Sequence, residues 1–311
     1  MTTKALVTGG AGFIGSHLVE ACLNRGYEVK VMDNLSQGRR EWIHADAEFI
    51  DGDIKDPAAC LRAAKGCGAI FHTAAMSRSA ASLDNVEICT SNNIVGTQNI
   101  LEAARAVGAH KVIYSGSSTY YGNQPTPHQE DMRPNYLNFY GLSKHVGEEY
   151  CLLFDRMYGV SCNVLRYFNV YGPRLSGEGQ YGLVMSIFFR QLKEGKPLTI
   201  HGTGEQARDF VHVRDVAMAN ILAFESPLHG RVYNVGSGVV VSVKELADII
   251  SANQLYEPRR AGDADITLAD ISRIKQELGW VPQVSFSDGL KELIDEVQKS
   301  HSLDKAVHGR S

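Results

Sequence analysis

A chain of 311 residues with 44% apolar and 21% charged residues has the composition of a folded globular protein rather than a disordered or fibrous one, and its length suggests one large domain plus a smaller one. The formal net charge of -4 is spread without long single-sign blocks, which argues against a nucleic-acid or anionic-membrane partner and leaves any anionic ligand to be held by local groups. The six cysteines (Cys22, Cys60, Cys67, Cys89, Cys151, Cys162) show no Cys-x-x-Cys pair and no Cys/His cluster at metal-ligand spacing, so they read as reduced, mostly buried thiols, and no metal is expected.

Met1-Thr2-Thr3-Lys4 runs straight into an apolar stretch, leaving no room for the separate apolar segment of a signal peptide. No uninterrupted apolar run reaches membrane-spanning length, and a cytoplasmic location is the expectation. Ala5 to Thr8 predicts a buried strand. Ser16 to Arg25 predicts a helix with Leu18, Cys22 and Leu23 on one face, and Tyr27 to Met32 a second strand. Such a βαβ unit imposes a parallel sheet with right-handed crossovers. The alternation continues with a strand at Ala47 to Ile50, a helix at Pro57 to Ala64 and a strand at Ala69 to His72. A long helix at Val86 to Val107, a strand at Lys111 to Tyr114, a helix at Tyr140 to Tyr158 and a strand at Cys162 to Arg166 follow. The expectation is an α/β fold, a Rossmann-type doubly wound parallel sheet of roughly six or seven strands.

At Tyr171 to Tyr181 the composition shifts, with Gly172, Pro173, Gly177, Gly179 and Gly182 punctuating a polar loop. A smaller mixed α/β C-terminal substrate domain is expected from there, built from a helix at Leu183 to Glu194, a strand at Leu198 to Ile200 and the segment after Gly238. The stretch Asp215 to Asn234 returns to the first domain. The expected division is 1–170 with 210–235 for the first domain, 171–209 and 236–300 for the second, and a polar tail at 301–311.

The loop Thr8-Gly9-Gly10-Ala11-Gly12-Phe13-Ile14-Gly15 follows a predicted strand and opens a helix. A glycine run alone is weak evidence, but in that context the helix N-terminal amides and dipole bind a pyrophosphate. Gly9 permits the tight turn, Gly12 lets the backbone approach phosphate, and Gly15 lets helix pack on strand. Asp33, followed by Asn34, ends the second strand about twenty residues on, where a carboxylate accepts hydrogen bonds from the adenosine ribose. That carboxylate favours NAD, since a 2′-phosphate would meet a like charge; the bland alternative makes Asp33 a turn former. Arg39 and Arg40 nearby read as a solvated face.

Tyr140-Gly141-Leu142-Ser143-Lys144 puts a phenol and an ammonium at i and i+4 on one helix face. A phenol with a reference pKa of about 10 becomes a usable base near neutrality when positive charge stabilises the phenolate. Y-x-x-x-K is common by chance, so its weight comes from company. Ser115-Gly116-Ser117-Ser118-Thr119 lies at the carboxyl edge of the sheet, where ligands of such folds bind, and the same edge carries the glycine loop, Asp33 and the His72-Thr73-Ala74-Ala75 turn.

With these residues in place the chain resembles the extended short-chain dehydrogenase/reductases, and within them the nucleotide-sugar 4-epimerases. The resemblance runs nearly end to end. It rests on T-G-G-A-G-F-I-G at Thr8, D-N-L-S at Asp33, Asp53-Ile54, H-T-A-A at His72, N-I-V-G-T at Asn93, S-S-T-Y-Y-G at Ser117 and Y-x-x-x-K at Tyr140. Further on it includes R-Y-F-N-V-Y-G-P at Arg166, G-T-G-E-Q-A-R-D-F-V-H-V-R-D at Gly202, Y-N-V-G-S-G at Tyr233 and R-R-A-G-D at Arg259. The resemblance implies that Tyr140 is the general base, that Lys144 holds the nicotinamide ribose and tunes Tyr140, and that Ser117 bonds the sugar 4-hydroxyl. It places Gly9, Gly12, Phe13, Ile14, Gly15, Asp33, Asn34, Ala74 and Ala75 at the NAD, Asp53 and Ile54 beside its adenine, and Asn93 in support. Asn169, Arg208 and Arg260 match positions that hold the nucleotide diphosphate, with Asp263 on its ribose.

A 4-epimerase would then remove hydride from C4 of a UDP-hexose and return it to the opposite face. Related dehydratases need an Asp-Glu pair at the positions of Ser118 and Thr119, and related decarboxylases a Glu at Thr119; these carboxylates are absent. A nonenzymatic NAD-binding sensor of the same fold would not need Tyr140, Lys144 and Ser117 together. In the family a bulky residue at the position of Thr267 blocks N-acetylated sugars. Thr267 is small, which leaves N-acetylated sugars open; UDP-glucose/UDP-galactose is the expected pair, with UDP-N-acetylhexosamines as the alternative. The resemblance further implies a homodimer through the helices 86–107 and 140–158 and a mobile loop at Arg174 to Gly182.

Overall fold

The computed structural model describes residues 3–77, 79–175, 184–258 and 265–296. Successive side chains of the first strand, β1 (Lys4–Thr8), point to opposite sides, and both sides are apolar. Ala5 and Val7 enter one core and Leu6 another, so β1 must be covered on both faces. The chain meets this demand by alternation: α1 (Phe13–Asn24), β2 (Glu28–Asp33), β3 (Glu48–Asp51), α2 (Pro57–Ala64) and β4 (Ala69–His72) lead to two short helices, α3 (Ala81–Asp84) and α4 (Val86–Thr90). There follow α5 (Gly96–Val107), β5 (Lys111–Ser117), α6 (Phe139–Tyr158), β6 (Cys162–Tyr167) and β7 (Asn169–Tyr171). Later come α7 (Val184–Lys193), β8 (Leu198–His201), β9 (Ala207–His212), α8 (Val213–Glu225), β10 (Arg231–Val235), β11 (Val240–Ser242), α9 (Val243–Ile250), β12 (Gln254–Glu257), β13 (Ile266–Thr267) and α10 (Ser272–Leu278). A last helix, α11, covers 286–296.

The seven-stranded sheet runs β10-β6-β5-β4-β1-β2-β3 with every pair parallel. One face is packed by α1 and α8 through Leu18, Val19, Cys22, Val216 and Ala219. The other carries α2, α5 and α6 through Cys60, Ile100, Leu101, Cys151 and Phe154. The strand order reverses between β1 and β4, and a crevice for ligands opens at such a reversal, beyond the carboxyl ends of the strands. Beside this sheet β9 pairs with β7, β11 and β13, while β8 pairs with β12; Met185, Phe188, Leu198, Ile200, Phe210, Leu246 and Leu290 form the smaller core. The architecture is thus a Rossmann-like parallel sheet with a smaller mixed α/β unit. All six cysteines are buried and free, and no helix among the described residues is long and apolar enough to cross a membrane.

Two expected elements differ in form. The first helix begins at Phe13 rather than Ser16, because Gly12 serves as its N-cap with no side-chain cap of its own. The single helix expected over Val86 to Val107 contains a π-helical turn at Ser91–Val95. That wider turn carries buried Asn93, whose amide is used by neighbours described below.

Candidate active site

The carboxyl ends of the parallel strands open into a cavity of about 700 Å³. Its floor is the glycine loop. Gly9 has φ +71°, and a Cβ there would stand 2.8 Å from Ala74; a Cβ on Gly15 would stand 2.1 Å from Gly9 O. Only hydrogen fits, so β1, the loop and α1 approach one another as a bare-backbone cradle. Gly9, Gly12, Phe13, Ile14 and Gly15 line the cavity, and the first-turn amides of α1 are uncapped by any side chain, the arrangement that binds a pyrophosphate.

At the end of β2, Asp33 accepts from Ala11 N (3.0 Å) and Leu35 N (2.8 Å), which ties the end of β2 to the glycine loop. Burial pushes its carboxyl up, and those two amides oppose the shift. Asp33, Asn34, Ile54, Ala74 and Ala75 line the cavity. Asp53 does not line it; its carboxylate accepts from Asn34 Nδ2 (3.1 Å) and Lys55 N (2.8 Å), so it orients Asn34 from outside the wall. Asn93 also stands behind the wall, donating to Ser143 Oγ (2.9 Å) and Met76 O (3.0 Å) while accepting from Met76 N (2.8 Å). It thereby staples the 73–77 turn to α6. These donors, amides and the open helix end suit a dinucleotide such as NAD.

Sequence reasoning missed the segment from Ser36 to Trp42. Arg39, expected on a solvated face, is half-buried in the cavity wall with its guanidinium 5.3 Å from the centre of the Trp42 ring. The cause is a long-range backbone contact: Arg39 N donates to Ala11 O (2.9 Å), and Gly38 packs where a Cβ would stand 2.8 Å from Ala11 Cβ. The one sequence signal was the glycine.

The catalytic candidates converge on the opposite end. Ser117 closes β5, and its Oγ accepts from Thr119 N (3.3 Å) and from Thr119 Oγ1 (2.8 Å). The amino end of α6 abuts this turn at Gly141, where a Cβ would stand 2.9 Å from Thr119 O. The glycine inside Tyr140-Gly141-Leu142 thus lets the start of α6 pack against the turn that follows Ser117. Asn138 caps α6 by accepting from Gly141 N (2.9 Å), and Tyr140 N donates to Ser82 Oγ (3.1 Å). Ser117, Ser118, Thr119 and half-buried Tyr140 all line the cavity.

Lys144, one turn along α6, is 4% exposed, and its Nζ sits 4.3 Å from the centre of the Tyr114 ring. Burial lowers its pKa to about 8, the neighbouring Cys151 and Cys89 opposing the shift. His72, also deeply buried, is held down to about 3 by burial first and Lys144 second. Its ring nitrogens reach Thr8 Oγ1 (2.8 Å) and Thr97 Oγ1 (3.1 Å). The far side of α6 is pinned by a buried pair: Arg166 Nε and Nη2 donate to Glu148 at 3.0 and 2.5 Å, with the guanidinium 3.6 Å from the Tyr120 ring centre.

The remaining wall comes from the smaller unit. Asn169 lines the cavity and donates to Asp209 O (3.1 Å) and Thr267 Oγ1 (3.0 Å). Thr267 is nearly buried behind it. Arg208 lies beside this wall rather than in the cavity lining, donating to Ala207 O (2.9 Å) and Asp265 O (3.2 Å). Asp209, which sequence reasoning passed over, organises the wall: its buried carboxylate accepts from Ser237 N, Ser237 Oγ, Gly238 N and Ala269 N. Arg174 reaches Ser16 Oγ (3.0 Å) and Glu20, and His17 bonds Pro173 O (2.9 Å), so the strand exit is tied to α1. Arg260 and Asp263, and residues 176–182 of the loop expected to move, lie outside the described residues.

Together the doubly wound sheet, the glycine cradle and the Ser-Tyr-Lys arrangement define a nucleotide-dependent enzyme of the extended dehydrogenase type. The comparisons with known proteins agree. Residues 5–236 match the NAD dependent epimerase/dehydratase family, and the chain belongs to it. It is 37% identical over 299 residues to a putative UDP-glucose 4-epimerase of Methanocaldococcus jannaschii, covering 93% of this chain and 97% of the relative. It resembles the structure of UDP-glucose 4-epimerase from Thermotoga maritima with UDP-glucose, at TM-score 0.92 and 36% identity, over 96% of this chain and 99% of that one. It also resembles a Thermus thermophilus UDP-glucose 4-epimerase in complex with NAD, at TM-score 0.88 and 33% identity, over 95% of this chain and 99% of the other.

Proposed function

We propose that the protein is an NAD-dependent 4-epimerase of UDP-hexoses that interconverts UDP-glucose and UDP-galactose through a 4-keto intermediate. The observation that carries this reading is the placement of Ser117 and Tyr140 in one cavity with the glycine cradle, with hydroxyls rather than carboxylates at Ser118 and Thr119. Tyr140 accepts the proton of the C4 hydroxyl as the ketone forms and returns it in the second half. Lys144, charged below a pKa of about 8, supplies the positive charge that favours the Tyr140 phenolate. Ser117 holds the C4 oxygen. NAD bound on the glycine loop supplies a hydride acceptor and donor, and Asp33, Asn34 and Ile54 hold its adenosine end. Asn169, with Arg208, Arg260 and Asp263, serves the nucleotide diphosphate and its ribose. Because hydride leaves and returns at one carbon, the cofactor stays bound between turnovers.

Thr267 favours a second substrate pair. It is small and nearly buried behind Asn169, and the resemblance implies that only a bulky residue at this position excludes N-acetylated sugars, so UDP-N-acetylhexosamines are an alternative substrate. The homodimer is read from the outer surface of α3, α4 and α6, where Leu83, Ile88, Leu142, Leu153 and Met157 are exposed, a set of apolar side chains suited to a like surface. A cytoplasmic location belongs to the same reading.

The test is incubation of the purified protein with UDP-galactose and, separately, UDP-N-acetylgalactosamine, without added cofactor. Epimerised product is expected from at least the first. No product from either, with no NAD released on denaturation, sinks the reading, and a monomer in sedimentation sinks the dimer.

A further inference from the structure

The turn that ends β5 fixes more than the position of Ser117. A hydroxyl has one hydrogen to donate and two lone pairs with which to accept. Ser117 Oγ accepts from Thr119 N at 3.3 Å and from Thr119 Oγ1 at 2.8 Å, so both lone pairs are engaged by one neighbouring residue. The bonds have different origins. The amide bond is the cap of the 3-10 turn Ser118–Tyr120 and exists for any residue at 119 except proline. The hydroxyl bond exists only because residue 119 is Thr or Ser.

We infer that Thr119 is a positioning residue that makes Ser117 a one-way hydrogen-bond donor to the sugar C4 oxygen. Resting on the 4-epimerase reading, this assigns the proton route. In the oxidising half the O4–H bond breaks and its proton passes directly to the Tyr140 oxygen, while NAD held on the glycine loop would supply the acceptor for the C4 hydride. In the reducing half hydride returns to C4 and the Tyr140 proton returns to O4. The Ser117 O–H bond stays intact in both halves and points at the oxygen that alternates between hydroxyl and carbonyl. A serine with a vacant lone pair could instead accept the O4 proton and relay it; Thr119 removes that route and keeps the donor aimed where charge develops.

A double-mutant cycle tests this, using the NAD-loaded full chain, Ser117→Ala, Thr119→Val, the double variant and Thr119→Ser. Thr119→Val preserves shape and the amide bond, and retained NAD content and melting temperature verify that it folds. With UDP-galactose, Ser117→Ala should lower kcat about a hundredfold. Thr119→Val should lower it about three- to tenfold with KM nearly unchanged, the worth of one neutral hydrogen bond felt in the transition state. Thr119→Ser should restore most of the loss. In the Ser117→Ala background Thr119→Val should cost nothing more, because it acts only through the serine hydroxyl. Equal losses from Thr119→Val in both backgrounds, or no loss in either, overturn the assignment while leaving the epimerase reading intact. A wild-type chain that does not epimerise at all brings down the reading and the assignment together.

Discussion

The two walls of the cavity are built from different material. The wall from the parallel sheet is mostly backbone: uncapped amides at the start of α1, glycines with no room for a Cβ, and strand ends brought side by side by parallel pairing. The wall from the smaller unit presents the Asn169 side chain, held by Thr267 and braced from behind by the buried Asp209 carboxylate, which gathers Ser237, Gly238 and Ala269. A backbone wall has few ways to change and binds what is constant in the chemistry, here a dinucleotide. A side-chain wall can be rebuilt by single substitutions. On the proposed function, substrate choice would belong to the second wall and cofactor choice to the first.

Tyr140→Phe strikes where the walls meet and should have the largest effect. Removing the acid/base hydroxyl should lower turnover about 10²- to 10⁴-fold, with bound NAD unchanged in the purified protein. Turnover within a few-fold of wild type would remove Tyr140 from the mechanism. A pH profile of the same reaction sharpens the role of Lys144. With its pKa lowered to about 8 by burial, the rate should fall as pH rises through that value, because the phenolate then loses its positive neighbour.

Gly15→Ala and Asp209→Asn divide the walls. A Cβ added at Gly15 would meet Gly9 O at 2.1 Å, so the loop must shift, and overpacking of that kind costs about 1–3 kcal/mol. Expressed as cofactor binding, that is a roughly 5- to 150-fold loss of NAD retention, measured by release on denaturation. Asp209→Asn places an amide NH2 among four donors that now share a carboxylate, at a cost of about 1–3 kcal/mol. Its expected signature is a raised KM for the UDP-sugar with NAD content unchanged. If Asp209→Asn strips the cofactor, or Gly15→Ala leaves it in place, the division between the walls is wrong.

The same contrast explains what could be read from the sequence. The first wall is legible because its determinants are local. Thr8 to Gly15 is one strand-to-helix turn, and Tyr140 and Lys144 are one helical turn apart, so spacing alone puts them together. Even there, the place of Arg39 in the cavity wall was not legible, because it is brought there by an amide bond to Ala11 O, which no local pattern records. The second wall joins Asn169, Asp209, Ser237, Ala269 and Thr267 across sequence gaps that periodicity does not bridge. There the resemblance named Asn169, Arg208 and Thr267, but nothing in the sequence pointed to Asp209 as the organiser.

Acid titration offers the smallest and most distributed test, because each region contains one strongly depressed histidine. His72 in the sheet is held down to about 3 and His212 on β9 to about 4, both chiefly by burial, against an ordinary value of 6.5. His212 Nδ1 accepts from Arg214 N (3.3 Å), a bond the protonated ring cannot make. For both groups the unfolded chain takes up the proton first. Their contribution is therefore fully present above the unfolded value of about 6.5 and is lost as pH falls toward the folded values, each with a slope of up to about 1.4 kcal/mol per pH unit. Denaturant midpoints measured from pH 7.5 down to 4.5 should fall steadily. His72→Gln removes one proton from the linkage, so its curve should be shallower and approach that of wild type as the pH drops, even though it starts lower. Parallel curves across that range would mean that His72 is not buried in its neutral form, and that the low pKa placed beside Lys144 is wrong.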